Sequence, residues 1–125
     1  MKILLDTHVY LWALSAPEKI QQPSLDLIAS PAHQVYVSSI SIAEICIKAS
    51  IGKLSVHFDP VAMIYESGFE ALAYSPEDAL LLQELPFHHR DPFDRMLIAQ
   101  SIKRNVYLMS SDAIFASYNC HLLRC

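Results

Sequence analysis

Lys2-Ile3-Leu4-Leu5-Asp6-Thr7-His8 opens the chain with an apolar run that stops on a carboxylate. Ile3 to Leu5 reads as a short buried strand begun at Lys2, and Val9, Leu11, Trp12 and Leu14 form a brief helical pattern ended by Ser15-Ala16-Pro17. Asp6 and Thr7 occupy the junction. The same alternation recurs along the chain. Gln34 to Val37 reads as a strand, after which Ser38 or Ser39 caps a long helix to about Ser50, with Gly52 as its stop. Glu70 to Ala73, Val106 to Met109 and His121 to Leu123 supply further strands. Helices are expected from Ser24 to Ser30, from Asp59-Pro60 to Ser67, from Ser75-Pro76 to about Leu85 and from Asp91-Pro92 to about Arg104. A chain that alternates strand and helix in this way predicts an α/β fold: a three-layer α/β/α domain with a central parallel sheet of four to five strands.

The 125 residues, 53% of them hydrophobic, suit one domain over 1–125 with a real core. A net charge of -4 and a pI near 5.8 exclude a broadly basic nucleic-acid-binding face, so any such binding must be local or metal-assisted. Arg90, Arg95, Lys103 and Arg104 flank one helix, and Lys48 and Lys53 the end of another, mostly as solvated surface. Cys46, Cys120 and Cys125 are odd in number and contain no C-x-x-C pair, which argues against a disulfide framework or a zinc knuckle and for a reducing cytoplasm. The run Ile3 to Leu5 is too short for a signal-peptide core and no later stretch could cross a bilayer, so a soluble, unexported protein is expected.

Asp6, Glu44, Asp94 and Asp112 each fall where a strand ends or where the next helix begins. In open parallel sheets the carboxyl ends of the strands line a crevice, where residues remote in sequence converge on one ligand. Each alone has a plainer explanation. Asp6 and Asp112 could be helix N-caps, and Ser41, Glu44 and Lys48 could be a polar stripe with a surface Glu44–Lys48 pair of about 0.3–0.5 kcal/mol. Asp91 reads chiefly as a cap, because Ser75-Pro76-Glu77-Asp78 repeats the grammar of Asp91-Pro92-Phe93-Asp94 before another helix. Asp94 continues into Leu97, Ile98 and Ser101 on one helical face and should lean toward the sheet. Four such coincidences are better explained by one shared site. Carboxylates about 5 Å apart at an effective dielectric near 20 repel by roughly 3 kcal/mol per pair, so the cluster needs a cation or bound protons.

All-oxygen sites suit Mg²⁺ or Mn²⁺, and no H-x-x-x-H or Cys/His pairing supports zinc. His88 and His89 read as an exposed basic loop before Asp91, with no assigned role. With only Gly52 and Gly68 the chain has no Gly-rich phosphate loop and no G-x-S-x-G elbow, which excludes Walker-type NTPases, dinucleotide enzymes and α/β-hydrolases. His8 stands where a phosphotransferase built on an Asp pair would want its second Asp.

The segment Lys2 to His8 with Leu11-Trp12 resembles the opening of PIN-domain ribonucleases of the VapC toxin type. Val37-Ser38 through Glu44, Ile47-Lys48 and Gly52-Lys53-Leu54 resembles the second acidic helix of that family. His89-Arg90-Asp91-Pro92-Phe93-Asp94-Arg95 through Ala99-Gln100 resembles the third acidic motif, and Leu108 to Asp112 with Phe115 and Tyr118 the fourth. Nearly the whole chain is covered in order. The ending departs, since Cys120 to Cys125 has no tryptophan where many relatives finish with one.

The resemblance implies a PIN-like fold and a Mg²⁺- or Mn²⁺-dependent endoribonuclease, the toxin of a type II toxin–antitoxin pair, with Asp6, Glu44, Asp94 and Asp112 as the acidic quartet. On this reading Asp6 and Asp94 hold the metal directly, and Glu44, Asp91 and Asp112 are further candidate ligands. Glu44 is a candidate acceptor for a proton from the attacking water. The products would carry a 5′-phosphate and a 3′-hydroxyl. Thr7 and Ser110 are expected to hold carboxylates in place, and Arg90 and Arg95 to contact RNA phosphates. The implied partners are RNA, a cognate antitoxin protein and a second copy in a homodimer, in the cytoplasm and without a membrane. Trp12, Phe87 and Phe93 read mainly as core. The alternatives are a non-catalytic PIN-like interaction module and a phosphoacceptor receiver domain; against the latter, Ser110-Ser111-Asp112 stand where its late lysine belongs.

Overall fold

The computed structural model describes residues 1–125. Its elements are β1 (Lys2–Leu5), α1 (Thr7–Ser15), α2 (Gln22–Ala29), β2 (Gln34–Ser38), α3 (Ser39–Ser50), α4 (Ala62–Glu66), β3 (Glu70–Leu72), α5 (Pro76–Leu80), α6 (Pro92–Arg104), β4 (Tyr107–Ser110) and β5 (His121–Arg124). Short 3₁₀ turns lie at Pro17–Lys19, Leu81–Gln83 and Ala113–Ser117. The five strands form one sheet in the order β3-β2-β1-β4-β5, and every neighbouring pair is parallel.

Strand periodicity explains why both faces are covered. Alternate residues of a strand point to opposite sides: Ile3 and Leu5 join one apolar cluster with Val9, Ile28, Ile45 and Ile64, drawn from α1, α2, α3 and α4. Leu4 joins the other, with Leu97 and Ile98 of α6 and with Phe115. Met109 and Leu108 of β4 divide between the two faces in the same way. The result is the expected three-layer α/β/α arrangement. Because β2 and β4 flank the central β1 on opposite sides, the carboxyl ends of β1, β2 and β4 open together on one edge, the place where parallel sheets hold ligands.

Local signals account for the element ends. Ser38 Oγ accepts from the Ile40 N–H and starts α3. Asn105, at φ 54°, ends α6 in the left-handed region, and the Val106 N–H closes back on the Ser101 carbonyl at 3.0 Å. Val106 is thereby taken from the expected strand, which begins at Tyr107. α2 starts at Gln22 rather than Ser24, because Pro23 in its first turn is itself a helix-start signal. Asp59 Oδ1 does accept from the Val61 and Ala62 N–H groups, but those bonds make a turn, and α4 begins only at Ala62. The helix expected to reach Leu85 is α5 followed by the tighter turn Leu81–Gln83. No helix is long and apolar enough to cross a membrane.

Candidate metal centre

Asp6 follows the central strand, and its N–H extends the ladder by donating to the Met109 carbonyl at 3.0 Å. Its Oδ1 accepts from the Val9 N–H at 2.7 Å, so it is the N-cap of α1. The cap uses one oxygen of a buried carboxylate. Burial pushes the Asp6 pKa up, Ser110 and the Val9 N–H oppose that rise, and the Glu44 charge adds to it. Ser110, fully buried at the end of β4, hydrogen-bonds to the Asp6 side chain, and its Oγ accepts from the Asp112 N–H at 3.0 Å. Thr7 does not hold a carboxylate: its hydroxyl donates to Ser41 Oγ at 2.9 Å. That bond ties α1 to α3 one turn ahead of Glu44.

Glu44 is 2% exposed, which excludes the surface-stripe explanation. The Lys48 pair exists, with Nζ donating to Oε2, while Oε1 is buried and has no hydrogen-bond partner. A buried acceptor left unpaired is costly, on the order of 1–3 kcal/mol, and a cation would satisfy it.

Asp91 caps α6, its Oδ1 accepting from Phe93 N–H at 2.9 Å and Asp94 N–H at 3.1 Å. Asp94 leans inward as expected. Burial, followed by the charges of Asp91, Glu44 and Asp6, pushes its pKa up to about 6 against the opposing His89 hydrogen bond. Asp6, Glu44, Asp91 and Asp94 therefore share one electrostatic field, drawn from β1, α3 and α6. Asp112, exposed beyond β4, caps the Ala113–Ser117 turn through its Oδ1, and one ligand atom each of His89, Asp94 and Asp112 lie within 4.8 Å of one another. Buried carboxylates with elevated pKa values and an unpaired oxygen fit a hard divalent cation.

Two expectations are corrected at the loop before α6. Arg95 is buried, with Nη1 donating to the Pro86 carbonyl at 2.9 Å and to Tyr118 Oη at 3.2 Å, and Nη2 to the Leu85 carbonyl at 3.3 Å. It packs protein against protein and is not a phosphate contact; Arg90 beside it is exposed. Phe87, read as core, is 72% exposed, with the Arg95 guanidinium 4.5 Å from its ring centre. His89, given no role from the sequence, has Nε2 2.7 Å from Asp94 Oδ2. Its signal was its place five residues before Asp94 in a loop that folds back on α6. Next to Glu44 opens a cleft of about 410 Å³ lined by Thr7, His8, Leu11, Lys48, Lys53 and Leu54, which sets two cations beside the acidic centre.

Fold and site together define an α/β domain with a buried carboxylate centre at the carboxyl edge of a parallel sheet. The model of the PIN domain family matches residues 3–119, and the chain belongs to that family. The receiver-domain alternative falls with that assignment. A search of curated proteins returned no significant match. Among solved structures, the chain is similar to one from VapBC2 of Rickettsia felis bound to a promoter DNA fragment, with 19% identity, 99% and 98% of the two chains covered and a TM-score of 0.75. It is also similar to a chain of DNA-bound VapBC from Salmonella typhimurium, at 18% identity, 99% and 98% coverage and a TM-score of 0.69. A chain of VapBC-5 from Mycobacterium tuberculosis, a member of a family of toxin–antitoxin systems, matches at 19% identity, 99% and 98% coverage and a TM-score of 0.61. At these identities the likeness is one of fold.

Proposed function

We propose that this chain is a divalent-metal-dependent endoribonuclease, the toxin half of a toxin–antitoxin pair acting in the cytoplasm. The observation that carries the reading is the buried Glu44 carboxylate, its Oε1 unpaired, in the same field as Asp6 and the raised Asp94. A bound cation would relieve that repulsion. Membership of a family whose domains are generally nucleases, and the likeness in fold to VapBC chains, support the same reading.

Asp6 and Asp94 would hold Mg²⁺ or Mn²⁺, with Glu44, Asp91 and Asp112 within its surroundings. When bound, the ion supplies a more acidic water and offsets charge on the phosphoryl oxygens. Glu44 Oε1, which has no hydrogen-bond partner within the protein, would accept the proton of the attacking water where the ion is held by the other carboxylates. The water oxygen bonds to phosphorus, the P–O3′ bond breaks and the 3′-oxygen leaves with a proton, giving a 5′-phosphate and a 3′-hydroxyl. Ser110 and the Val9 N–H orient Asp6, and the cap at Asp91 orients the first turn that carries Asp94. Lys48 and Lys53 in the cleft and the exposed Arg90 supply the local positive charge that an acidic protein needs to meet a phosphate chain. The antitoxin is expected to cover the acidic groove with a basic side chain, and two copies of the chain to pair.

The test is incubation of the purified, antitoxin-free protein with a mixed RNA pool in Mg²⁺, Mn²⁺ or EDTA, with the new ends mapped. Cuts that EDTA abolishes and that leave 5′-phosphates are expected. A well-folded protein that cuts no RNA under any of these conditions, and whose melting temperature no divalent ion moves, would instead be an interaction module.

A further inference from the structure

The segment Leu85–Arg90 is pinned by residues that the nuclease reading does not use. Tyr118 Oη accepts from the backbone N–H groups of His88 and His89, at 3.0 and 2.8 Å. Arg95 Nη1 reaches the His89 carbonyl at 3.4 Å besides its bonds to Pro86 and Tyr118. The His89 backbone is thus held at both its N–H and its carbonyl, and its ring rests against Phe115 with centroids 6.1 Å apart. A buried guanidinium and a buried tyrosine converge on one loop residue.

The outcome lies at the imidazole, where Nε2 is 2.7 Å from Asp94 Oδ2. Neighbouring ligand atoms around one octahedral ion at about 2.1 Å are separated by roughly 3 Å. His89 Nε2 and Asp94 Oδ2 already stand at that spacing, and with Asp112 the three donor atoms lie within 4.8 Å of one another, slightly wider than the roughly 4.2 Å across one such sphere, so a small side-chain movement would bring all three onto a single ion. They come from three separate segments: the loop, the first turn of α6 and the turn after β4.

We infer that His89 is a metal ligand, forming with Asp94 and Asp112 a mixed nitrogen–oxygen centre that prefers a transition-metal ion such as Mn²⁺ to Mg²⁺. The inference rests on the metal-dependent reading of the acidic centre and goes further, to the kind of ion selected. Carboxylates alone suit Mg²⁺ and Mn²⁺ alike, whereas an imidazole nitrogen favours the softer first-row ions. The hydrogen bond that His89 makes to Asp94 is the contact a shared ion replaces.

The full-length protein, stripped with EDTA and titrated with Mn²⁺, tests this by pulsed EPR. A directly bound imidazole appears as a ¹⁴N coupling on Mn²⁺, expected in the wild type and in His8→Gln, and absent in His89→Gln. His8→Gln is the control because that imidazole is exposed and adds its charge to the Asp6 environment. Mn²⁺ affinity should fall about tenfold or more in His89→Gln, while Mg²⁺ affinity, read by competition, changes by less than about threefold. Mn²⁺ bound without nitrogen coupling, a coupling that survives His89→Gln, or equal losses for both ions would overturn the inference and leave the nuclease reading standing. Binding of neither ion would overturn both. Should His89→Gln fail to fold, the pair of spectra from wild type and His8→Gln still decides whether an imidazole other than His8 is bound.

Discussion

Asp94 is where the cost of the site is concentrated. Its ordinary value of 3.8 rises to about 6 in the folded chain, through burial and then through Asp91, Glu44 and Asp6. The folded state therefore binds this proton more tightly than the unfolded chain does. The stabilisation from the protonated form is fully present below about pH 4 and is lost as pH rises through about 6. In EDTA, urea midpoints should fall between pH 4 and 6, with the raised Asp6 acting in the same direction, and Asp94→Asn should flatten most of that slope. A wild-type midpoint that rises over this window would contradict the assignment. The arginines separate as sharply. Arg95→Ala strips donors from the Leu85 and Pro86 carbonyls and removes packing from Phe87, and should cost about 2–4 kcal/mol in urea unfolding. Arg90→Ala should leave stability within about 0.5 kcal/mol and weaken RNA binding with a shallower salt dependence, measured by titration at several ionic strengths.

At the level of elements, the Pro-led helix start at Ser75-Pro76 serves structure, whereas the one at Asp91-Pro92 leads into the proposed site. Ser75 and Asp78 form a reciprocal capping box on α5. Asp78, fully buried, also takes Arg104 Nε at 3.0 Å and Gln100 Nε2 at 3.2 Å, which clamps α5 to α6. Burial by itself would raise the Asp78 pKa, but Arg104, the Ser75 N–H and Gln100 hold it below the ordinary value. Asp78→Ala should destabilise by about 2–3 kcal/mol, less than a wholly buried pair because Arg104 is partly exposed. Its residual RNA cleavage at low temperature should match the wild type, since Asp78 lies outside the acidic field. Loss of cleavage without loss of stability would refute that separation.

These elements also show what sequence can reveal. The strands were legible because Ile3 to Leu5 and Val35 to Val37 are short apolar runs bounded by capping residues, and the acids were legible because each stood beside such a boundary. Asp91 and Asp94 were told apart by helical phase. The Arg95 contacts, the His89–Asp94 bond and the exposure of Phe87 were not legible, because all three depend on how the Leu85–Arg90 loop folds back over α6, and no periodic pattern encodes a loop path. Thr7 was assigned to the right neighbourhood and the wrong partner, since its bond to Ser41 depends on the packing of α1 against α3.

For the molecule as a whole, a net charge of -4 and a centre of converging carboxylates oppose a polyanionic substrate. The proposed function needs a bound cation and the local charges of Lys48, Lys53 and Arg90 to reverse that field at one edge of the sheet. Stability and activity should accordingly part company at Asp94. Replacing it by Asn removes a repelled carboxylate from the metal-free fold and, on the proposed function, an oxygen ligand from the metal site. The most direct measurement is therefore Mg²⁺- and Mn²⁺-dependent RNA cleavage by Asp94→Asn beside its melting temperature in EDTA at pH 7. The expected result is cleavage reduced by about 100-fold or more with a melting temperature equal to or above that of the wild type. Undiminished cleavage by the folded variant would contradict the placement of the nuclease centre at the carboxyl edge of the sheet.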